Sequence, residues 1–131
     1  VLLLHYKGFR KIDGLESYIN VRSLFLECNG IARIENLEVV PKLISLYLQN
    51  NCISRMENLG CLPRLRYLNL AHNSISIVEN LAPMQSLETL NLAANKFVDV
   101  EGLHGLANCG TLKSVDVSAN YIEDGEDFVS L

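Results

Sequence analysis

Apolar residues recur along the chain in one pattern with a period of 22 residues. The pattern is L-x-x-L-x-L-x-x-N-x-I, in which related apolar residues replace leucine or isoleucine in some copies. In its L-x-L part, alternation sends both leucines to one face of a short strand and their neighbours to the other. Repetition at a fixed interval predicts stacked coils, each of which adds one strand and one layer to a shared core.

Five copies of this pattern are nearly complete, and a partial copy precedes them. The pattern is typical of the leucine-rich repeat, so we predict a single leucine-rich-repeat domain over residues 1–131. Its apolar strand pairs are Leu2 and Leu4, Leu24 and Leu26, Leu46 and Leu48, Leu68 and Leu70, Leu90 and Leu92, and Val115 and Val117. The predicted repeats, about six in number, cover residues 1–20 (partial), 21–42, 43–64, 65–86, 87–111 and 112–131 (partial). Because the chain begins without Met, we also expect it to be a fragment of a longer protein.

The segment that connects successive strands is short, and this restricts its structure. A repeat of 22 residues leaves little room for an α-helix after the strand and turn, so we expect 3₁₀ or irregular structure there. Pro41 and Pro63 stand at the same repeat position and would stop a helix, whereas Pro83 stands two residues earlier in its copy. The predicted fold is an α/β solenoid. It is a right-handed horseshoe with a parallel concave β-sheet and a mostly 3₁₀ or irregular convex side.

An asparagine follows the strand in each of the five fuller copies. Its side-chain amide can hydrogen-bond turn backbone that would otherwise be buried without partners. Stacked coils would align these amides in a structural ladder, whose members are Asn29, Asn51, Asn73, Asn95 and Asn120. In the partial first copy, Lys7 stands at this position.

Two features concern the convex side of the predicted solenoid. One is a column of recurring acids, which we expect to be solvated and to serve turn capping and solubility: Glu35, Glu57, Glu79 and Glu101. The other is a three-residue insertion within the segment that follows Leu103. We interpret it as a longer convex turn in which Gly105 and Gly110 supply tight backbone. A functional loop over residues 104–111 is the alternative.

Residues that flank the strand leucines face the concave side of the sheet and are not needed for the core. This face is the usual recognition surface of a solenoid. Leu3, Phe25 and Tyr47 share one position on neighbouring strands about 4.8 Å apart, and Tyr67 lies diagonally beside them. Clusters of exposed aromatic residues often mark interaction sites. We therefore predict a protein-binding surface made of Leu3, His5, Phe25, Glu27, Tyr47, Gln49, Tyr67 and Asn69.

A second interpretation of the aromatic residues needs no partner. The rings could cover one another, or cover an N-terminal flank that this chain lacks. Farther along the face the residues become small and polar, as at Asn69, Asn91 and Asp116. That series is common in leucine-rich repeats and does not discriminate between the two interpretations.

Composition and charge restrict the classes of function. Hydrophobic residues make up 49% of the 131 residues and charged residues 20%, which suits a packed core. The formal net charge of -4 argues weakly against a nucleic-acid surface. No apolar run approaches the roughly 20 residues that span a bilayer, and VLLLHY is too short for a signal peptide. Four cysteines form no C-x-x-C pair, and we interpret them as reduced thiols of a cytoplasmic protein: Cys28, Cys52, Cys61 and Cys109.

The sequence carries no recognisable catalytic or metal-binding motif. One column of the predicted sheet contains Ser23, Ser45 and Ser114, but no histidine is placed to activate a serine. Near the end of the chain, Asp124, Glu126 and Asp127 lack the spacing of a calcium-binding loop, and we expect a solvated turn. We therefore expect a non-enzymatic protein that uses no cofactor or metal and binds neither nucleic acid nor membrane.

Two stretches carry a resemblance to known families. The form I-x-x-I-E-N-L at 22-residue intervals resembles the short, Sds22-like leucine-rich repeats of a phosphatase regulator and its relatives. Within that group, residues 4–38, LHYKGFRKIDGLESYINVRSLFLECNGIARIENLE, resemble the start of the leucine-rich axonemal dynein assembly factors. The segment LHYKGF is diagnostic, because a generic repeat would have Asn at Lys7. The longer repeat within residues 85–120 is also similar to that family.

This resemblance implies a cytoplasmic factor for the preassembly of axonemal dynein arms in motile cilia and flagella. It further implies that dynein chains or chaperones are the partners and that Phe25 and Tyr47 contact them. The chain departs from the family at Asp13-Gly14, where Glu-Asn is usual. It also ends at Leu131, where the family continues with a capping repeat, so we expect an uncovered last coil.

Other functions fit the same face. A regulatory subunit of a protein phosphatase or a leucine-rich dynein light chain would bind a protein through it, although LHYKGF favours the assembly factor. A spliceosomal leucine-rich relative would act in RNA–protein assembly. That role would need basic or partner-contacting features that the sequence does not display.

Overall fold

The computed structural model describes residues 1–122. The acidic group of Asp124, Glu126 and Asp127 and the end of the last predicted repeat lie outside the described residues. Six short strands follow one another along the chain: β1 (Leu2–Leu3), β2 (Ser23–Phe25), β3 (Ser45–Tyr47), β4 (Tyr67–Asn69), β5 (Thr89–Asn91) and β6 (Ser114–Asp116). They form one sheet in the order β1-β2-β3-β4-β5-β6, and every neighbouring pair is parallel. The prediction of a solenoid with one parallel sheet is confirmed.

The register of the sheet follows the repeat. Leu24 pairs with Leu46, and Leu46 pairs with Leu68, so the same motif position meets itself on the next strand. The longer repeat does not disturb this, because Leu90 still pairs with Val115. The insertion is therefore accommodated outside the sheet.

The core lies behind the sheet and is continuous along the stack. The central residues Leu24, Leu46, Leu68 and Leu90 are each 0% exposed. Isoleucines and leucines of the return path, such as Ile34 and Leu37, pack in the same hydrophobic cluster. Each coil thus buries several large side chains at about 1.5–3 kcal/mol apiece before conformational entropy is subtracted. The layers stabilise one another because no single coil could bury its apolar face alone.

The convex side is mostly irregular, as the repeat length predicts. Isolated 3₁₀-type turns occur there; for example, Val40 N–H donates to Leu37 O at 3.0 Å, and Leu43 N–H to Val40 O at 3.3 Å. The longer repeat forms a 3₁₀ helix, Val100–Asn108, whose first turn is capped by Asp99 accepting from Gly102 N–H. Within residues 1–122 there is no helix whose length and apolar character would let it span a membrane.

A second column of asparagines lies on the convex side and was not foreseen from the sequence. Asn36, Asn58 and Asn80 adopt left-handed backbone with φ of 61°, 59° and 62°. Each side-chain Nδ2 donates to a carbonyl of the preceding coil, at 2.7, 2.8 and 2.7 Å. Asparagine tolerates this conformation better than most residues. In the first coil Gly14 takes the same position with φ of 74°, so the Asp13-Gly14 variation preserves the turn.

Three of the four recurring acids, Glu35, Glu57 and Glu79, are half-buried and ion-paired, contrary to expectation, whereas Glu101 is exposed as expected. Arg33 Nε lies 3.1 Å from Glu57 Oε1, and Arg55 Nη2 lies 3.3 Å from Glu79 Oε1. The reason is that an arginine of one coil reaches the glutamate of the next, which leaves Glu57 only 15% exposed. Since the arginines are exposed, each pair contributes only about 0–1 kcal/mol. These contacts reinforce the stacking of coils.

Gly105 is needed for close packing of the longer repeat rather than for a tight turn. A Cβ at this position would overlap the carbonyl oxygen of Val78 and lie 2.8 Å from the Val78 carbonyl carbon. Gly110 is different, because a Cβ there would meet nothing within 4 Å. The insertion thus lets the 3₁₀ helix pack directly against the backbone of the coil before it.

Gly105→Ala is expected to lower the free energy of unfolding by about 1–3 kcal/mol, because the backbone of one coil must move away. Gly110→Ala is the matched control and should change the free energy of unfolding by less than about 1 kcal/mol. Any change should be stabilising, because alanine lowers the conformational entropy of the unfolded chain. Urea unfolding followed by circular dichroism measures both. Equal effects for the two variants would show that the contact with Val78 is not tight.

Candidate functional site

The concave face consists of the side chains that point away from the core on either side of each central strand residue. In β2 to β5 these flanking residues are half-buried, whereas the central residue is buried. Backbone hydrogen bonding continues past the strands, since Tyr6 N–H donates to Glu27 O at 3.2 Å and Cys28 N–H to Gln49 O at 3.0 Å. Residues after the strands therefore stay in register across the coils.

Three residues form what we call the aromatic column, namely Leu3, Phe25 and Tyr47. Leu3 pairs with Phe25, and Phe25 with Tyr47, across neighbouring parallel strands. The rings of Phe25 and Tyr47 stack at a centroid distance of 4.1 Å with 5° between their planes. Tyr67 joins them, with its ring centroid 5.1 Å from that of Tyr47 and tilted by 40°. In-register pairing brings the rings together because strand spacing is close to the distance at which aromatic rings stack.

The aromatic column is only partly covered by its own members. Stacking hides one face of each ring, as the interpretation without a partner requires, yet Phe25, Tyr47 and Tyr67 remain half-buried. At the end of the column Leu3 is 55% exposed. A continuous apolar strip therefore remains accessible on the first four strands.

A second set of residues, which we call the polar column, runs beside the aromatic column. It consists of His5, Glu27 and Gln49. His5 Nδ1, Glu27 Oε1 and Gln49 Oε1 are each shielded from solvent, and in the described part of the chain they have no hydrogen-bond partner. A shielded polar atom without a partner is uncommon and calls for an explanation. Three such atoms in one column distinguish this part of the face.

Several polar groups elsewhere on the face are paired within the protein. Ser23 Oγ and Ser45 Oγ are 2.7 Å apart, and Asn69 Oδ1 accepts from Ala71 N–H at 3.0 Å. Asp116 accepts from the hydroxyl and the backbone N–H of Ser118, which hold the pKa of this carboxyl below its usual range. Asn69, predicted as a binding residue, is thus partly engaged by its own turn.

The asparagines predicted to form a ladder lie at the edge of the sheet and bond both within and between coils. Asn51 Nδ2 donates to Leu48 O at 3.0 Å and to Leu26 O of the preceding coil at 3.1 Å. Its Oδ1 accepts from Ile31 N–H at 3.0 Å. Equivalent bonds are made by Asn29, Asn73, Asn95 and Asn120. These side chains hold the scaffold of the concave face rather than a ligand.

Lys7 at the ladder position leaves no gap in the first coil. The side chain of Asn29 reaches back from the second coil, and its Oδ1 accepts from Lys7 N–H and Phe9 N–H, each at 3.0 Å. The residue just before each ladder position adopts left-handed backbone, with φ between 54° and 58°, even where it is Tyr6 or His72. No sequence signal identifies these left-handed positions, because the residue type varies freely among them.

Seven of the eight predicted binding residues lie together: three in the aromatic column, three in the polar column, and Tyr67 beside them. Residues 1–122 contain no group of three or more His, Cys, Asp or Glu side chains that could hold a metal ion. Cys28, Cys52, Cys61 and Cys109 are all free.

Comparisons with known proteins agree with this architecture. A family profile described as "Leucine Rich repeats (2 copies)" matches residues 41–83. That match covers 43 of the 131 residues. An internalin from Listeria monocytogenes is similar in structure, with a TM-score of 0.75 and 26% identity over 89% of this chain and 34% of its own. Internalin C2 from the same organism gives a TM-score of 0.75 and 26% identity over 95% of this chain and 54% of its own.

One curated protein matches a shorter stretch. The dynein axonemal assembly factor 1 homolog of Anopheles gambiae is 55% identical over 29 residues. That stretch is 22% of this chain and 3% of the Anopheles protein. The match therefore concerns a small part of both molecules.

Proposed function

We propose that residues 1–131 form one leucine-rich-repeat domain that binds a protein partner through the aromatic and polar columns and catalyses no reaction. The observation that carries this proposal is the strip of half-buried rings of Phe25, Tyr47 and Tyr67, extended by the exposed Leu3. It lies beside shielded polar atoms that have no hydrogen-bond partner among the described residues. Aromatic side chains contribute a large share of the binding energy at protein interfaces. Their place on a rigid, in-register sheet keeps the ordering cost of binding low.

We further propose that the partner belongs to the machinery that preassembles axonemal dynein arms in the cytoplasm for motile cilia and flagella. The 55% identity over 29 residues to a dynein axonemal assembly factor homologue supports this role. So does the resemblance of LHYKGF, residues 4–9, to the start of that family. Dynein chains and their chaperones are the expected partners, and the chain would act in the cytoplasm or near the cilium.

Affinity capture from ciliated cells tests the surface and the role together. Phe25→Ala with Tyr47→Ala should weaken capture at least about tenfold, because two aromatic contacts are lost. The melting temperature should fall only slightly, since both rings are half-buried and lie outside the core. The matched control is Thr89→Ala with Ser114→Ala, which alters the far end of the same face and should leave capture unchanged.

The outcomes separate the surface from the role. Equal capture by the aromatic variant and the wild type would refute the concave binding surface. Dynein chains or chaperones in the captured material would support the assembly role. A protein phosphatase catalytic subunit captured through the same residues would replace that role with phosphatase regulation.

A further inference from the structure

Glu27 is unlike the other half-buried carboxylates of the described chain. Five glutamates are half-buried there: Glu27, Glu35, Glu57, Glu79 and Glu88. The last four each lie within 4.0 Å of an arginine or lysine nitrogen of the protein, as in the 2.8 Å contact between Arg66 Nε and Glu88 Oε2. Glu27 has no such cation, and its Oε1 has no hydrogen bond either. Within residues 1–122, the Glu27 carboxylate therefore lacks the cationic partner that the other four half-buried glutamates have.

The surroundings of Glu27 supply no substitute. Among the residues that flank the strands from Leu3 to Ser118, none is lysine or arginine. The acids on this face are Glu27 and Asp116, and Asp116 is already bonded to Ser118. The face thus has an unmatched negative charge at its aromatic end, whereas arginines and lysines lie elsewhere on the coils.

The unpaired atoms have a common chemical character. Glu27 offers only acceptors, Gln49 presents its Oε1, and His5 Nδ1 accepts when the proton is on the other ring nitrogen. A shielded acceptor without a donor has lost its hydrogen bonds to water and has not replaced them with hydrogen bonds to the protein. A ligand that brings several donors and a positive charge would therefore recover hydrogen bonds that the free protein lacks.

Arginine has the properties that this site requires. Its guanidinium carries five donors in a planar fork, bonds carboxylates in pairs and stacks on aromatic rings. Its apolar stem can cover the rings of Phe25 and Tyr47, which end β2 and β3 two residues before Glu27 and Gln49. The compact ammonium of lysine is less suited than a guanidinium to bond several separated acceptors and to stack on aromatic rings.

We propose that the polar column is a subsite for an arginine side chain of the protein partner. In it, the guanidinium donates to the Glu27 carboxylate and to Gln49 Oε1, and the stem packs on Phe25 and Tyr47. This inference rests on the proposed function of the concave face and adds the chemistry that the face selects. Because both oxygens are shielded in the free protein, this binding mode requires the side chains of Glu27 and Gln49 to rotate toward the guanidinium.

A random dodecapeptide library displayed on phage and selected against the immobilised chain tests the subsite. Arginine should be enriched among peptides selected by the wild type, and this enrichment should disappear when the target is Glu27→Gln. A selected peptide should bind Glu27→Gln at least about tenfold more weakly than it binds the wild type. When its arginine is replaced by citrulline, the peptide should bind the wild type at least about tenfold more weakly than the original peptide does. Asp116→Asn removes the other acid of the face and is the matched control, with affinity expected to stay within about twofold.

The selection separates this inference from the proposed function. Peptides that bind wild type, fail on Phe25→Ala with Tyr47→Ala, and show no arginine enrichment would overturn the subsite and leave the protein-binding face in place. A selected peptide that binds Glu27→Gln as tightly as the wild type would also overturn the arginine subsite. A selection that yields no peptide sensitive to the aromatic residues would count against both. Circular dichroism of each variant shows that the coils remain folded.

Discussion

Asn73→Ala should lower the free energy of unfolding by about 2–4 kcal/mol, because it removes a buried amide that bonds its own coil to the preceding one. Asn73 is 6% exposed. Its Nδ2 donates to Leu48 O, Leu70 O and Ala71 O at 3.0 to 3.2 Å, and its Oδ1 accepts from Ile53 N–H at 2.9 Å.

The lost bonds are not equal in their consequences. Leu48 O and Leu70 O each keep a second donor, from Asn51 Nδ2 and Asn95 Nδ2 respectively. Ile53 N–H has no second acceptor of this kind and becomes a buried donor without a partner. That orphaned group, which costs about 1–3 kcal/mol, makes up most of the expected loss.

Urea unfolding of Asn73→Ala beside Asn69→Ala measures this effect. Asn69 is chemically identical and lies on the same coil, but its side chain accepts one hydrogen bond, from Ala71 N–H. Its replacement should cost about 1 kcal/mol or less. A loss for Asn73→Ala no larger than that for Asn69→Ala would show that the ladder amide does not hold the coils together.

The sheet could be predicted from the sequence because its cause is local and repeated. Alternation in L-x-L determines which residues of each strand are buried, and the constant interval determines the register. The pairing of Leu90 with Val115 shows that the register is the same even across the longer repeat. The stacking of Phe25 on Tyr47 follows from the same register, since equal positions on parallel strands are neighbours.

The convex side was less accessible to prediction. Asn58 was visible as a recurring residue, but its left-handed backbone and its bond to Ile34 O depend on the path of the previous coil. A hint was present in the sequence, because Gly14 replaces asparagine at that position and glycine shares the tolerance for positive φ. The ion pair of Arg33 with Glu57 was missed because its partners are 24 residues apart, more than one repeat.

The lack of hydrogen-bond partners in the polar column could not have been found without coordinates. His5, Glu27 and Gln49 share a repeat position, so their proximity was predictable. Whether their atoms are solvated, paired or shielded depends on side-chain rotamers and on the neighbouring rings. The absence of a cation beside Glu27 becomes informative only when compared with the paired Glu57 and Glu88.

Leu68→Ala should lower the free energy of unfolding by about 2–5 kcal/mol, the range for truncating a fully buried leucine. Leu68 is 0% exposed at the centre of β4 and pairs with Leu46 on one side and Leu90 on the other. Rigid layers on both sides prevent collapse into the space that the side chain leaves, so a cavity persists.

Val115→Ala is the control for Leu68→Ala, because Val115 occupies the same repeat position on β6 but is 36% exposed at the end of the described stack. Its replacement should cost less than about 1 kcal/mol, since less apolar area is removed from a buried environment. Urea unfolding at several protein concentrations measures both variants and excludes association. A loss below about 0.5 kcal/mol for Leu68→Ala, or one equal to that of Val115→Ala, would contradict a continuous core in which the inner layers support one another.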